Sequence, residues 1–202
     1  MKKTSFLALL IILTLFLPTN ILAKEKIAEL TIFSDGSKGV FNSGSHAFIS
    51  IKNISSSNMK IGLITVNPNM EITIGTWANR RPHKGIWYNL EAYFIARDDV
   101  YDKRVSLTIT IDHDEIDKIN NFLNNYNTWT TMNNCSKFST KIWNLVSNDK
   151  LSAGFLATPK KLSDSIKSKD GFETKKAVQE KTKNDTSFHP SKKLFNLRSI
   201  YG

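Results

Sequence analysis

Cysteine, histidine, proline and glycine are all sparse in this 202-residue sequence, at one, four, five and nine residues. A single Cys excludes an internal disulfide framework and any multi-Cys zinc site. The low Gly and Pro content excludes collagen-like and Pro-rich low-complexity material. Acidic residues are also short, 18 against 28 Lys and Arg, which leaves a formal net charge of +10. Such an excess invites a nucleic-acid or anionic-surface partner, depending on where the charge sits. What is present suits a folded protein: 40% hydrophobic and 23% charged residues, in a length that makes one domain with appendages.

The only long apolar run lies at the start. Lys2 and Lys3 precede residues 6–17, an apolar stretch broken by Thr14, and Pro18 then ends it. Ile21-Leu22-Ala23 supplies a small residue at a cleavage position, completing the plan of a secretory signal. The run is shorter than the ~20 apolar residues of a membrane-spanning helix, so an uncleaved anchor is the lesser alternative. The residue directly after the cut is Lys24, not Cys, which argues against a lipoprotein. The expected mature chain is 24–202, secreted or held in the periplasm or cell envelope. Within it, residues 24–159 carry 15 basic and 13 acidic residues, whereas 160–202 carry 11 and 5. The basic character therefore belongs to the tail. With export and no recognised nucleic-acid motif, nucleic acid drops out as a partner.

Residues 30–33 are a short β-prone stretch. In His46–Asn53, Ala47, Ile49 and Ile51 alternate with His46, Phe48 and Ser50, the period of a strand. Further strands are expected near 60–66, 71–77, 86–95 and 104–111. The period then changes. Asp112-His113-Asp114 offers an N-cap for a helix carrying Ile116, Ile119, Phe122, Leu123 and Tyr126. A second helix fits 135–147, with Cys135, Phe138, Ile142, Leu145 and Val146 inward. Thr158-Pro159 heads a third. Strands followed by helices predict an α+β domain, an antiparallel sheet of about five strands packed against the Cys-bearing helix. The expected organisation is a signal peptide at 1–23, a domain at 24–166 and a basic, mobile tail at 167–202, ending in an apolar cluster of Leu194, Phe195, Leu197 and Ile200.

Cys135 opens an amphipathic helix after a polar loop. A thiol there feels the positive end of the macrodipole and lies near donors that could hold an oxyanion. The bland alternative is a buried small hydrophobe. A nucleophilic thiolate needs a base, and the base needs an orienting group. His46 heads a strand with no charged neighbour within five positions. His83 lies in the basic loop Arg80-Arg81-Pro82-His83-Lys84, His113 is flanked by Asp112 and Asp114, and His189 sits in the tail. No metal-ligand spacing appears, so neither a metal nor a cofactor is expected.

Gly44-Ser45-His46-Ala47-Phe48-Ile49-Ser50-Ile51 together with Asn134-Cys135-Ser136-Lys137-Phe138 resembles the circularly permuted papain-like group, which includes permuted relatives of the NlpC/P60 endopeptidases and the lecithin–retinol acyltransferase-like proteins. His precedes Cys, as in the permuted branch, and the resemblance spans roughly 42–146. It implies a permuted papain-like fold in which Cys135 is the nucleophile, His46 the base and a polar residue on a later strand the orienting group. Asn89 and Glu91, on one face of the expected strand 86–95, are the candidates for that third role. Trp129 and Asn134 are the candidate pocket residues.

The leading expectation is an exported cysteine peptidase or amidase, acting as a monomer on peptide or cell-wall amides. Acyl transfer or lipid hydrolysis is the alternative within the same superfamily. A non-catalytic binding module is the rival from another class. The tail lysines would contact anionic cell-wall polymer or lipid.

Overall fold

The alternation in β2 (His46–Asn53) sends Ala47, Ile49 and Ile51 into the main hydrophobic core and Phe48 into a second, aromatic cluster on the opposite face of a sheet. In a computed structural model, which describes residues 24–37, 45–77, 85–126 and 129–190, β2 lies at the middle of that sheet. The other members are β1 (Ala28–Asp35), β5 (Glu71–Gly75), β6 (Gly85–Tyr88), β7 (Val105–Ile111), β8 (Glu173–Thr174) and β9 (Ser187–Pro190), in the order β8-β7-β1-β2-β5-β6-β9. Neighbours run antiparallel throughout. The stretch 60–66, expected as one strand, is a hairpin of β3 (Met59–Ile61) and β4 (Ile64–Val66) that turns at Gly62, where φ is 57°.

Four α-helices complete the described fold: α1 (Leu90–Asp98), α2 (His113–Asn125), α3 (Cys135–Val146) and α4 (Pro159–Lys167). From α2, α3 and α4, Ile116, Ile119, Phe138, Ile142, Leu162 and Ile166 bury into the main core. On the other face, Leu90 and Phe94 of α1 join Phe33, Phe48, Trp77 and Tyr101. The architecture is therefore α+β with the Cys-bearing helix on an antiparallel sheet. No helix among the described residues is long and apolar enough to cross a membrane.

Two further expectations about elements are corrected. The strand expected at 86–95 stops at Tyr88, and the chain turns into α1. Asn89 makes the turn at φ 60°, a left-handed conformation that Asn tolerates better than most residues and that a strand cannot contain. Leu90 and Phe94 then follow at helical spacing. The sheet also has seven strands rather than about five, because two come from the segment expected as a mobile tail.

That segment straps the aromatic face. Glu173–Thr174 pairs with β7 at one edge and Ser187–Pro190 with β6 at the other. Between them Val178 packs on the aromatic cluster, and Arg104 donates to the Lys176 carbonyl through Nε and Nη2 at 3.0 and 2.7 Å. The Gln179 N–H donates to Glu71 Oε2, and the Glu71 N–H to Gln179 Oε1, each at 2.8 Å. Edge strands can be held by backbone hydrogen bonds alone, so a polar sequence suffices. The signal region, the basic loop with His83, and the apolar cluster at Leu194, Phe195, Leu197 and Ile200 lie outside the described residues.

The start of α2 carries a complete capping box. Asp112 accepts from the Glu115 N–H at 3.1 Å and Glu115 accepts from the Asp112 N–H at 2.9 Å, with Lys26 donating to Glu115 at 2.8 Å. Asp112→Ala is expected to lower stability by about 1 kcal/mol, read from urea unfolding, without altering the reactivity of Cys135.

Candidate active site

Register brings the residues together. In the β1–β2 pair Asp35 stands opposite His46 and Ser34 opposite Ala47, so His46 is the first residue of its strand at one end of the sheet. α3 is seated on the sheet by Phe138, Ile142 and Trp143, all fully buried, and its first residue is Cys135. The Cys135 thiol, half-buried, stands beside the His46 ring and the Ala47 N–H, close enough for both to act on its ionisation.

Glu91 completes the group from the opposite direction. It is 0% exposed, in the first turn of α1. Its Oε1 accepts from His46 Nε2 at 3.0 Å and from Trp77 Nε1 at 2.8 Å, and its Oε2 accepts from Thr73 Oγ1 at 3.2 Å. Three side-chain donors compensate the carboxylate for the water it has lost. With Nε2 held by Glu91, Nδ1 is the ring nitrogen left for the thiol. Aromatic rings enclose the imidazole: Trp77 at 4.3 Å, Tyr101 at 5.5 Å and Phe48 at 6.1 Å between ring centroids.

The electrostatics favour charge separation. Burial, the largest single influence on His46, pushes its pKa down. The adjacent Cys135 thiolate and the bonds to Cys135 and Glu91 outweigh burial and raise it to about 9. For Cys135, burial again comes first and pushes the thiol up. The His46 imidazolium and the Ala47 N–H more than reverse it, leaving the thiol below its ordinary value. Thiolate and imidazolium thus support each other across one contact.

Gly75 makes this packing possible. A Cβ there would stand 2.0 Å from Glu91 Oε1 and 3.4 Å from His46 Nε2, so no larger residue fits between β5 and the carboxylate.

Of the two candidates for the third role, Glu91 reaches the imidazole and Asn89 does not. Asn89 Oδ1 accepts from the Thr73 N–H at 3.2 Å and its Nδ2 donates to the Asp185 carbonyl at 3.0 Å, so it ties the β6–α1 junction to β5 and the strap. Its separation from Glu91 follows from the helix, which replaces the shared strand face. Asn134, expected in the pocket, is the N-cap of α3. Its Oδ1 accepts from the Lys137 N–H at 3.2 Å and its Nδ2 donates to the Thr131 carbonyl at 3.0 Å. Trp129 is half-buried in the loop ahead of α3. His113 is exposed in the first turn of α2, and His189 pairs with Ile86 at the β9 edge. Among the described residues no group of His, Cys, Asp and Glu is arranged to hold a metal ion.

Sequence reasoning missed Thr73, Gly75, Trp77 and the Ala47 N–H. A Gly inside the β-branched run Glu71-Ile72-Thr73-Ile74-Gly75 is a signal of close approach. Nothing local marks the Trp77 indole as a donor to Glu91.

The site sets the reactivity of the only thiol in the chain. Iodoacetamide labelling between about pH 5 and 10 is expected to show a thiolate forming below the ~8.5 of a free Cys. In His46→Ala the cation is gone and burial dominates, so the labelling profile moves to higher pH. Gly75→Ala, which displaces the Glu91 carboxylate, is expected to shift the profile in the same direction by a smaller amount, as is Glu91→Gln.

No protein-family model, no curated protein and no solved structure matches the chain.

Proposed function

We propose that the protein is an exported thiol hydrolase of permuted papain-like architecture, in which Cys135, His46 and Glu91 are nucleophile, acid–base and orienting group. The observation that carries the proposal is the meeting of a helix-start thiol, a strand-start imidazole and a fully buried carboxylate, with the imidazole bonded to the carboxylate at 3.0 Å and its charge coupled to the thiol. A structural Cys would need neither the imidazole beside it nor a carboxylate behind that imidazole.

The reaction runs as acyl transfer. The Cys135 thiolate attacks the carbonyl carbon of an amide, and the C=O electron pair moves onto oxygen. The Lys137 and Phe138 N–H groups bond to Asn134 at 3.2 and 2.9 Å, so the amides of Cys135 and Ser136, at the positive end of the α3 dipole, are placed to hold that oxyanion. Collapse expels the amine, which takes its proton from the His46 imidazolium, and a thioester on Cys135 remains. Neutral His46 then removes a proton from water as it attacks the thioester. The second collapse releases the carboxylic acid and the Cys135 thiolate, with His46 again an imidazolium. Glu91 keeps the Nε2–H directed at itself, so the other ring nitrogen faces the sulfur throughout.

The substrate class that export and the family resemblance favour is a peptide or cell-wall peptide amide. Incubation with peptidoglycan fragments is expected to release new amine and carboxyl termini, detected by mass spectrometry. Cys135→Ala is expected to abolish release, and His46→Ala to reduce it by about 10²–10⁴-fold. Glu91→Gln should fall between His46→Ala and the native protein. A thiol that labels only after unfolding would contradict the hydrolase reading and favour a binding module.

A further inference from the structure

Away from the dyad, the turn before α4 presents its two largest apolar side chains to solvent. Phe155 is 88% exposed and Leu156 53%, in the run Ala153-Gly154-Phe155-Leu156-Ala157. The turn itself is well fixed. Leu151, Ala153 and Ala157 are buried on either side of it, the Ala157 N–H donates to the Gly154 carbonyl at 3.1 Å and the Thr158 N–H to the Ala153 carbonyl at 3.0 Å. Gly154 and Ala157, on either side of the exposed pair, both adopt positive φ, 72° and 48°. A rigid tip of Phe and Leu held in water is unfavourable unless something apolar receives it.

Charge around the tip indicates what that is. Residues 149–169 carry Lys150, Lys160, Lys161, Lys167 and Lys169 against Asp149 and Asp164, a basic excess in which Lys150, Lys160 and Lys161 are all exposed. Lys160 pairs with Asp164 at 2.6 Å, and Lys150 donates only to the carbonyls of Asn144 and Ser147. Apolar side chains at a tip, with exposed lysines before and after it in the chain, match the interface of an anionic bilayer, where rings enter the acyl boundary and ammonium groups meet headgroups.

We infer that the Phe155–Leu156 tip docks the protein on an anionic membrane surface. The position of the tip gives the docking a direction. Ser34 donates to the Pro159 carbonyl at 2.8 Å and Ser163 to the Ser34 carbonyl at 3.1 Å, so the start of α4 is tied to the end of β1 that pairs with His46 and Ala47. The tip and the dyad therefore share one end of the sheet. If the hydrolase reading above holds, and the orientation rests on it, the carbonyl that Cys135 attacks is presented at the membrane surface.

The test is sedimentation of the mature full chain with vesicles of phosphatidylglycerol and phosphatidylcholine, compared with phosphatidylcholine alone. Binding to the anionic vesicles only, weakened by raised salt, is expected. Phe155→Ser with Leu156→Ser should reduce it about tenfold or more, and Lys160→Gln with Lys161→Gln should reduce it chiefly at low salt. The Cys135 labelling profile should stay unchanged in both variants, which separates docking from thiol chemistry. Absence of vesicle binding, equal binding by the tip variant, or equal binding to both vesicle types would overturn the inference. So would a concentration-dependent dimer that the tip variant abolishes, since a second copy would then be the occupant.

Discussion

A carboxylate with no exposure to water, Glu91, is the constraint around which the rest is arranged. Left unpaired, it would destabilise the fold by several kcal/mol. The donors that prevent this come from three separate elements: His46 from β2, Thr73 from β5 and Trp77 from the chain just beyond β5. Meeting that requirement fixes the imidazole in one orientation, and the fixed imidazole faces the one thiol in the chain. The same bond that satisfies Glu91 therefore organises the chemistry of Cys135.

The surrounding architecture serves this arrangement. Gly75 leaves room for the carboxylate, and Asn89 turns the chain so that Glu91 begins a helix instead of continuing a strand. The strap from β8 to β9 closes the aromatic face and reaches Asn89 through the Asp185 carbonyl, so residues far along the chain help to present Glu91. Burial of the imidazole among Trp77, Tyr101 and Phe48 excludes water and strengthens each electrostatic contact within. It also makes the charged pair depend on both members, since either ion alone would be opposed by desolvation.

Much of this was legible from local pattern. The alternation in His46–Asn53, the Asp112 and Thr158 caps and the helix from Cys135 appear where periodicity and capping chemistry put them, except that Leu145, expected inward on that helix, is exposed and Trp143 is buried in its stead. What escaped was non-local. Ile86 to Ile95 satisfies both a strand and a helix pattern, and only the left-handed Asn89 decides between them. The strap has too few apolar residues to announce itself, because its pairing is through backbone groups. Choosing Glu91 over Asn89 required knowing that the two side chains leave the backbone at a strand–helix junction rather than along one strand face.

The most direct test is the protonation state of His46, read by nuclear magnetic resonance of the imidazole nitrogens. At about pH 7.5, one unit above the ordinary His value, the ring should carry protons on both nitrogens, and Cys135→Ala should return it to the neutral form. A His46 that is already neutral in the native protein at that pH, or that is unaffected by Cys135→Ala, would contradict the thiolate–imidazolium pair.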